Sequence, residues 1–228
     1  MQLKVLSWNV WCDGDFEKIS RFLEESKADI IGLQEIVRED SEHDVVAFLA
    51  KRGYHHAVSD RGPVVHEKRI LTGVFSKYPI RKSAVDQLSP DSEQCATEVH
   101  VEIEGKIFSI FSVHLKHIHL QEASPTQAVQ VDTLLSLIPK ERVLVMGDFN
   151  ATPNLPYMER MRNVLQDTDQ KGEPTWSLSP EGCSTCKPQG LTIRYDYIFA
   201  SHDLKTHSFK VEKQDGSDHV PVSLVLEV

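Results

Sequence analysis

The stretch "VLVMGDFNATP", from Val143 to Pro153, decides how the fold is built. Four apolar residues run into a glycine, and Asp148 and Asn150 follow two positions apart. A short apolar run of this kind predicts a fully buried strand, so the polar pair lies where the strand leaves the core. A rigid strand can hold such residues in the fixed geometry that chemistry requires. The alternative is a helix cap, in which Asn150 or Thr152 begins a helix over 153–162, but this leaves Asp148 without a role.

The composition is that of a soluble globular protein. Of the 228 residues, 40% are hydrophobic and 26% are charged. The net charge of −9 gives no sign of a broad nucleic-acid-binding surface, although a metal ion and a few cations can hold one phosphate. No apolar run approaches the ~20 residues of a membrane span, and the N-terminus lacks the apolar stretch of a signal peptide. We therefore expect a cytoplasmic monomer without membrane contacts, and one domain over residues 1–228, since no repeat or linker divides the chain.

Hydrophobic periodicity predicts an alternation of helices and strands. Besides the opening stretch, strands are predicted at "LKVLSWNV", "ADIIGLQEI", "YHHAVS", "ILTGVFSKYPI", "ATEVHVEIEGKIFSIFSVHL", "LTIRYDYIFAS", "LKTHSFKVEK" and "DHVPVSLVLEV". Helices are predicted after Gly14, after Ser41 and from Ser124 to Pro139, where Gln127 would complete a capping box. A hairpin turn is predicted at Glu104-Gly105. Two mixed sheets packed face to face, with helices outside, satisfy this order.

The predicted strands deliver polar residues at or near their ends. These residues are Asn9, Glu35, His114, Asp148, Asn150, Asp196, Asp218 and His219. Singly, each has a structural explanation: Asn9 fits a turn, and His114 fits a hydrogen-bonded core histidine. A buried carboxylate is costly unless it is paired, hydrogen-bonded or bound to a metal, so the whole set is hard to explain in this way. Together the residues supply the parts of a hydrolytic site: carboxylates for a hard cation, amides that orient, and histidines that bind or protonate a phosphate oxygen.

Six motifs resemble, in order, those of the endonuclease/exonuclease/phosphatase superfamily, which has the DNase-I-like fold. They are "SWNV", "LQEI", "SVHL", "GDFNATP", "RYDYIF" and "SDHVPV", and the resemblance spans the chain from Asn9 to Val222. It implies an α/β (α+β) protein, a four-layered αββα sandwich of two mixed β-sheets flanked by helices. It also implies an enzyme, a metal-dependent hydrolase acting on phosphate ester bonds.

The resemblance further implies a metal site. Glu35 would be the principal ligand of a Mg²⁺ or Mn²⁺ ion, with Asn9 close by and Asp218 near the metal. Because Mg²⁺ keeps several waters and takes only one or two carboxylates, a sparse protein shell is expected.

Catalytic roles are implied for the other motif residues. Asp148 would orient and deprotonate the attacking water, helped by Asn150. His219 would stabilise the charge that builds on the phosphoryl oxygens, with Asp196 fixing its ring. His114 would hold a phosphate oxygen.

The substrate is less well defined. "NVWCDGD" departs from the "NVNGLR" of the abasic-site endonuclease branch, which disfavours a DNA-repair role of that type. We expect a nuclease or nucleic-acid-end phosphodiesterase. The alternatives are a phosphatase or phospholipase acting on a small phosphorylated headgroup or metabolite, and a non-catalytic binding protein. Trp176 is a candidate substrate contact, and a core aromatic explains it equally well. Arg194 is a candidate contact to a substrate phosphate, although a solvated face is the usual explanation of such a charge.

The cysteines predict no disulfide framework, because the chain has only 4 of them. "CSTC", Cys183 to Cys186, has metal-ligand spacing but lies in a loop rich in proline and glycine, and no second CxxC or HxxxH pair exists. We therefore expect paired thiols in a surface loop, with a structural zinc site as the alternative. His117 and His119 are expected to face solvent or the substrate, with a zinc cluster again as the alternative.

Overall fold

Two mixed β-sheets form the centre of the molecule. The structure, a computed structural model, describes residues 1–38, 44–119, 122–179, 183 and 185–228. The first sheet contains β1 (Gln2–Asn9), β2 (Ile30–Ile36), β3 (His55–Val58), β6 (Leu71–Ser76), β13 (Lys205–Val211) and β14 (Val222–Glu227), in the order β13-β14-β1-β2-β6-β3. The second contains β7 (Ile80–Gln87), β8 (Cys95–Ile103), β9 (Lys106–His114), β10 (Val143–Asp148), β11 (Gln166–Asp167) and β12 (Asp196–Ala200), in the order β11-β12-β10-β9-β8-β7. Two further strands, β4 (Val64–Val65) and β5 (Lys68–Arg69), pair separately.

Helices cover the outer face of each sheet. They are α1 (Phe16–Ser26), α2 (Val45–Ala50), α3 (Pro125–Leu137) and α4 (Pro156–Val164). Apolar side chains of α1 and α2 pack on the first sheet around Trp8, and those of α3 and α4 pack on the second around Phe199. A third cluster, which includes Val5 and Leu144, fills the space between the sheets. The four-layered αββα sandwich is confirmed.

The position of β10 between a helix layer and the other sheet explains why residues 143–146 are all apolar. Val143 and Val145 point to the helix layer, whereas Leu144 and Met146 point to the other sheet, and all four are buried. A strand buried on both faces has no polar side to alternate with.

At the starts of α3 and α4, the capping contacts differ from the predicted ones. Ser124 caps α3 as expected, because its side chain accepts the Gln127 N–H, but the Gln127 side chain donates to the carbonyls of Lys116 and Asn150 instead of closing a capping box. For α4 the start lies at Pro156, and within the described residues no side chain caps it. The helix-cap alternative for Asn150 is therefore wrong.

The start of α2 also departs from the prediction. Asp44 caps this helix by accepting the N–H groups of Val46 and Ala47. The predicted cap, Ser41, lies outside the described residues. Of the described helices, none has the length and apolar character needed to cross a membrane.

Parallel pairing brings the polar strand ends to one edge of the sandwich. In the first sheet β1 runs parallel to β2, and in the second β9 runs parallel to β10, so Asp148 pairs with His114. On the other side of β10, Asp148 pairs with Asp196, the first residue of β12. Asn9 closes the gap between the sheets, because its Nδ2 donates to Asp148 Oδ2 at 3.0 Å.

The space between the sheets becomes polar towards this edge. Gln34 Nε2 on the first sheet donates to Ser112 Oγ on the second at 3.0 Å, and Ser112 Oγ donates to the carbonyl of Leu33. The hydroxyls of Thr72 and Thr97 also meet across the sheets at 2.8 Å. Directional hydrogen bonds therefore fix the offset of one sheet on the other at the edge where the motif residues lie.

Candidate active site

Asp148 lies at the centre of the polar edge and is only 1% exposed. Its Oδ1 accepts the Asn150 N–H at 2.7 Å, and its Oδ2 accepts the side-chain amides of Asn9 at 3.0 Å and Asn150 at 3.2 Å. Two imidazoles face the same Oδ2, with His114 Nε2 at 3.5 Å and His219 Nε2 at 3.6 Å. Burial raises the pKa of Asp148. The carboxylate is therefore held by amides and approached by two histidines.

His219 is held by contacts to both sides of the sandwich. Its Nδ1 lies 2.8 Å from Asp196 Oδ2, and its carbonyl accepts the Trp8 indole N–H at 2.9 Å. Burial of the ring lowers the pKa of His219, but the charges of Asp196, Asp148 and Asp218 outweigh this effect and raise the pKa well above its ordinary value. The raised pKa favours the protonated ring, in which Nδ1–H can donate to Asp196 and Nε2–H is directed towards Asp148.

His114 has the opposite tendency. Its ring is buried, and burial lowers its pKa, as does the neighbouring charge of His219, although Glu35 acts in the other direction. Two histidines at one carboxylate thus prefer different protonation states, an arrangement typical of sites in which acid and base functions are divided.

Glu35 reaches this edge because β2 is irregular at its end. The pairing of β2 with β6 shifts register between Leu33 and Ile36, and Glu35 has φ 58°. A β-bulge of this kind re-aims a side chain out of the regular alternation. Glu35 Oε1 then accepts Asn9 Nδ2 at 3.1 Å, and Oε2 accepts the Cys12 N–H at 3.1 Å.

Asp218 is anchored by Trp176. The indole Nε1 of Trp176 donates to Asp218 Oδ2 at 2.9 Å, and the ring packs on Tyr195 with centroids 5.1 Å apart. Because Trp176 is buried and its N–H is engaged, the structure gives it the role of a core aromatic that positions Asp218, not that of an exposed substrate contact. Burial raises the pKa of Asp218, and the charge of Glu35 adds to that effect.

Arg194 is not brought to the site as a substrate contact. It is 5% exposed, and its two terminal nitrogens donate to both oxygens of Asp167 at 3.0 and 2.6 Å. Its Nε lies 3.4 Å from Asp169, and the guanidinium covers the Tyr197 ring at 4.1 Å. The expected phosphate contact is corrected to an internal ion pair, since these donors already serve neighbouring carboxylates.

The donor set fits a hard divalent cation. Four carboxylates, those of Glu35, Asp148, Asp196 and Asp218, meet at the edge, and Asp196 Oδ1 has no hydrogen-bond partner among the described residues. The one histidine whose pKa is raised, His219, cannot balance them. Buried carboxylates in excess call for a cation, and oxygen ligands suit Mg²⁺, Mn²⁺ or Ca²⁺. Glu35, with Asn9 and Asp218 beside it, could hold such an ion.

Two supporting residues contact Asn150 in ways that the sequence does not reveal. Gln127 donates to the Asn150 carbonyl at 2.8 Å, and His117 Nδ1 lies 2.7 Å from Asn150 Oδ1. Gln127 carries only the local pattern of a capping box. His117 is expected to face solvent or the substrate, but its contact with Asn150 has no signal in the sequence.

A four-layered sandwich with amide-held carboxylates and two histidines at one edge defines a phosphoesterase of the DNase-I-like class. The sequence model of the Endonuclease/Exonuclease/phosphatase family matches residues 6–219, and the chain belongs to this family. It is accordingly a metal-dependent hydrolase that acts on phosphate ester bonds.

Solved structures share the fold at low sequence identity. An endonuclease/exonuclease/phosphatase from Bacteroides vulgatus superposes with a TM-score of 0.78 at 16% identity, covering 100% of this chain and 99% of that one. The human Nocturnin catalytic domain with bound sulfate superposes with a TM-score of 0.74 at 20% identity, covering 99% of this chain and 94% of that one. Truncated TDP2 from Caenorhabditis elegans superposes with a TM-score of 0.71 at 16% identity, covering 100% of this chain and 98% of that one. Comparison with curated protein sequences gives no match.

Proposed function

We propose that this phosphoesterase is a Mg²⁺- or Mn²⁺-dependent enzyme that hydrolyses short or terminal nucleic-acid phosphodiesters. The observation that carries the proposal is the environment of Asp148, a buried carboxylate held by the amides of Asn9 and Asn150 and faced by His219 and His114.

In this mechanism Asp148 orients a water molecule and takes its proton. Burial raises the pKa of Asp148, which brings the carboxylate nearer the basicity that proton abstraction requires at neutral pH. The three amide N–H groups fix the carboxylate, so that its unshared lone pairs point in one direction.

His219 serves the other side of the reaction. As an imidazolium it carries a positive charge and an N–H at the position where negative charge develops on the phosphoryl oxygens. Asp196 fixes the ring through Nδ1, and neutral His114 offers a further hydrogen bond to a phosphate oxygen. Hydrolysis then proceeds without a covalent intermediate on the protein.

Glu35 would hold the metal ion, with Asn9 and Asp218 near it. When bound, a divalent cation neutralises phosphoryl charge and lowers the pKa of a coordinated water. Glu35 is suited to this position because its carboxylate is fixed by the Asn9 amide and the Cys12 N–H, which leaves lone pairs of both oxygens available.

A pocket beside Glu35 supports a nucleotide-sized substrate. It has a volume of about 270 Å³ and is lined by, among others, Val10, Trp11, Phe16, Ile19, Glu35 and Lys68. The lining combines charged groups with the aromatic rings of Trp11 and Phe16, on which a planar base can stack. The small volume favours a terminal nucleotide over a long duplex.

A membrane substrate is less well supported. The exposed large apolar residues of the described chain lie on separate elements and loops; they are Met1, Val64, Ile107, Val129, Val164 and Leu178. A lipid-binding surface requires such residues to be contiguous. We therefore favour nucleic acid over a phospholipid headgroup, and a monomer that works without a membrane partner.

The test is Mg²⁺-dependent cleavage of end-labelled single- and double-stranded oligonucleotides. Asp148→Asn should lower the rate by about 10²–10⁴-fold, the usual contribution of a general base, and EDTA should abolish cleavage. Asp132→Asn is the matched control, because that carboxylate is exposed on α3 and should leave the rate unchanged.

Intact oligonucleotides, with folded protein and with either Mg²⁺ or Mn²⁺, would contradict the nuclease proposal. The same variants would then be assayed on phosphorylated headgroups, small phosphodiesters and phosphomonoesters. If wild type hydrolyses one of these compounds and Asp148→Asn does not, the proposed mechanism is supported and the proposed substrate class is replaced.

A further inference from the structure

Two histidines and two cysteines from distant segments converge beside the active site. His117 and His119 follow β9, whereas Cys183 and Cys186 lie between β11 and β12. One ligand atom from each of the four residues lies within 4.8 Å of all the others. The sequence favours paired thiols in a surface loop and histidines that face solvent or the substrate, whereas the structure brings all four side chains together, with His119 still exposed.

The distances in the cluster match a tetrahedral zinc site. His119 Nδ1 lies 3.4 Å from Cys183 Sγ and 3.6 Å from Cys186 Sγ, and His117 Nε2 lies 3.8 Å from Cys186 Sγ. Zinc bonds of ~2.3 Å to sulfur and ~2.0 Å to nitrogen place S and N roughly 3.5 Å apart at the corners of a tetrahedron. The four ligand atoms thus surround a space of the size of one Zn²⁺ ion.

The backbone around the cysteines favours a metal-binding thiolate. The Cys186 N–H donates to Cys183 Sγ at 3.2 Å, and the Lys187 N–H donates to the Cys183 carbonyl at 2.9 Å. Lys187 has φ 45°, so the chain turns sharply after the second cysteine. A hydrogen bond from a backbone amide stabilises negative charge on the sulfur, which is the form that binds a metal.

The tautomer of His117 is fixed for metal binding. Asn150 uses its Nδ2 to donate to the Leu115 carbonyl and to Asp148, so its Oδ1 must accept from His117 Nδ1. The proton is then on Nδ1, and the lone pair on Nε2 faces Cys186. Metal-binding histidines are usually oriented by such a hydrogen bond from the nitrogen that does not bind the metal.

We propose that His117, His119, Cys183 and Cys186 bind a structural Zn²⁺ ion. Four protein ligands fill a tetrahedral shell and leave no position for substrate, so this ion is separate from the catalytic one. The soft donor set also separates the two metals, since thiolates select zinc whereas the carboxylates of the active site select a hard cation.

The zinc ion would join the loop that carries Trp176 to the end of β9. Cys183 and Cys186 pack against Trp176 and Tyr195, and Trp176 holds Asp218. Through His117 and Asn150 the cluster also connects to Asp148. Zinc binding would therefore stabilise the wall of the active site, independently of which phosphodiester is cleaved.

The test is the zinc content of the purified protein by elemental mass spectrometry. Wild type should carry one zinc per chain, and Cys183→Ser and His119→Ala should lose it. Two variants serve as matched controls and should retain zinc: Cys95→Ser, which changes a buried cysteine elsewhere in the fold, and Glu35→Gln, which removes the proposed ligand of the catalytic metal.

A measurement on wild type covers the case in which a ligand variant fails to fold. A zinc chelator should make Cys183 and Cys186 reactive to a maleimide, and Co²⁺ added after reduction should give the visible absorption of a tetrahedral thiolate site. Wild-type protein that binds neither Zn²⁺ nor Co²⁺ after reduction would overturn the proposal. So would stoichiometric zinc that persists in both Cys183→Ser and His119→Ala.

Discussion

His219 and His114 face one carboxylate oxygen from different directions, and their surroundings separate their protonation states. The difference arises from the second ring nitrogen of His219, which lies against Asp196. For His114, burial dominates and lowers the pKa. Among the carboxylates that raise the pKa of His219, Asp196 makes the largest contribution, so it has the largest part in deciding which of the two rings carries the proton.

Asp196→Asn should move the alkaline limb of the pH–rate profile to lower pH by about 1 to 3 pH units. In wild type the pKa of His219 is raised, so the cationic ring persists to high pH and activity falls only as pH rises through that pKa. Removing the Asp196 charge lowers the pKa of His219, so activity falls at a lower pH. The measurement is kcat/KM against pH, with Asp203→Asn as a surface control. If kcat/KM is lower at every pH but its alkaline limb stays at the same pH, the role given to Asp196 is refuted.

Arg194→Met should destabilise the protein without changing KM. The guanidinium is buried and binds Asp167 with two hydrogen bonds, so its loss leaves buried carboxylates unpaired at a cost of about 3–5 kcal/mol. Urea unfolding gives the free energy, and KM is measured where the variant is folded. Arg194→Lys keeps the charge but not the two-bond geometry, so its free energy of unfolding should lie between those of wild type and Arg194→Met. A higher KM with an unchanged free energy of unfolding would instead support a contact between Arg194 and the substrate.

At the scale of the elements, the catalytic groups depend on irregular backbone at the ends of regular strands. Glu35 and Asn150 have φ of 58° and 46°, values that non-glycine residues rarely adopt. In Asn150 the conformation is stabilised because its N–H binds Asp148 Oδ1. In Glu35 it accompanies the bulge in β2.

Gly147→Ala should cost about 2–5 kcal/mol and reduce activity, because the backbone of β9 leaves no space for a Cβ at this position of β10. The φ of Gly147 is 148°, and a Cβ at this position would lie 2.0 Å from the Val113 carbonyl oxygen. Gly53→Ala is the control, since φ is 85° there but nothing lies within 4 Å of the added atom. Denaturant unfolding compares the two. Equal losses would show that backbone strain alone, not the contact with β9, requires glycine.

The strands and most helices could be predicted, whereas side-chain direction could not. Strands buried on both faces leave a continuous apolar signal, and Ser124-Pro125 marks a helix start by local chemistry. The start of α4 was misplaced because Pro153 and Pro156 carry the same signal three residues apart. Arg194 was misassigned because its partner lies on β11, a strand of two residues that leaves no periodicity to detect.

At the scale of the whole molecule, the active site is an interface between two sheets. Asn9 and Glu35 come from the first sheet, and His114 and Asp148 come from the second. The motif residues could be found in the sequence because each lies at or near the end of a strand, but the contacts across the sandwich could not. They depend on how the sheets are offset, which Gln34 and the residues near it fix.

Mg²⁺ should stabilise wild type by about 2.7 kcal/mol at 100 times its dissociation constant, because binding to the folded state adds to its stability. The physical source is relief of repulsion, since the charge of Glu35 contributes to the raised pKa of Asp218. The measurement is Tm against Mg²⁺ concentration, in the presence of zinc so that the cysteine cluster remains filled. Glu35→Gln should lose most of the rise, and Asp132→Asn should keep it. A rise of equal size in Glu35→Gln would place the ion elsewhere.

The pairing of β1 with β14 has a consequence for the order of folding. Gln2 pairs with Glu227, so the first sheet joins the two most distant parts of this sequence, whereas β7 to β12 come from one continuous stretch. Long-range strand pairing is slow, because the entropy of closing a long loop must be lost before any contact compensates for it. His219 precedes β14 and Asn9 ends β1, so the catalytic constellation is complete only after this last closure. Recovered activity on refolding would therefore report the final event, and an intermediate with an ordered second sheet would be inactive.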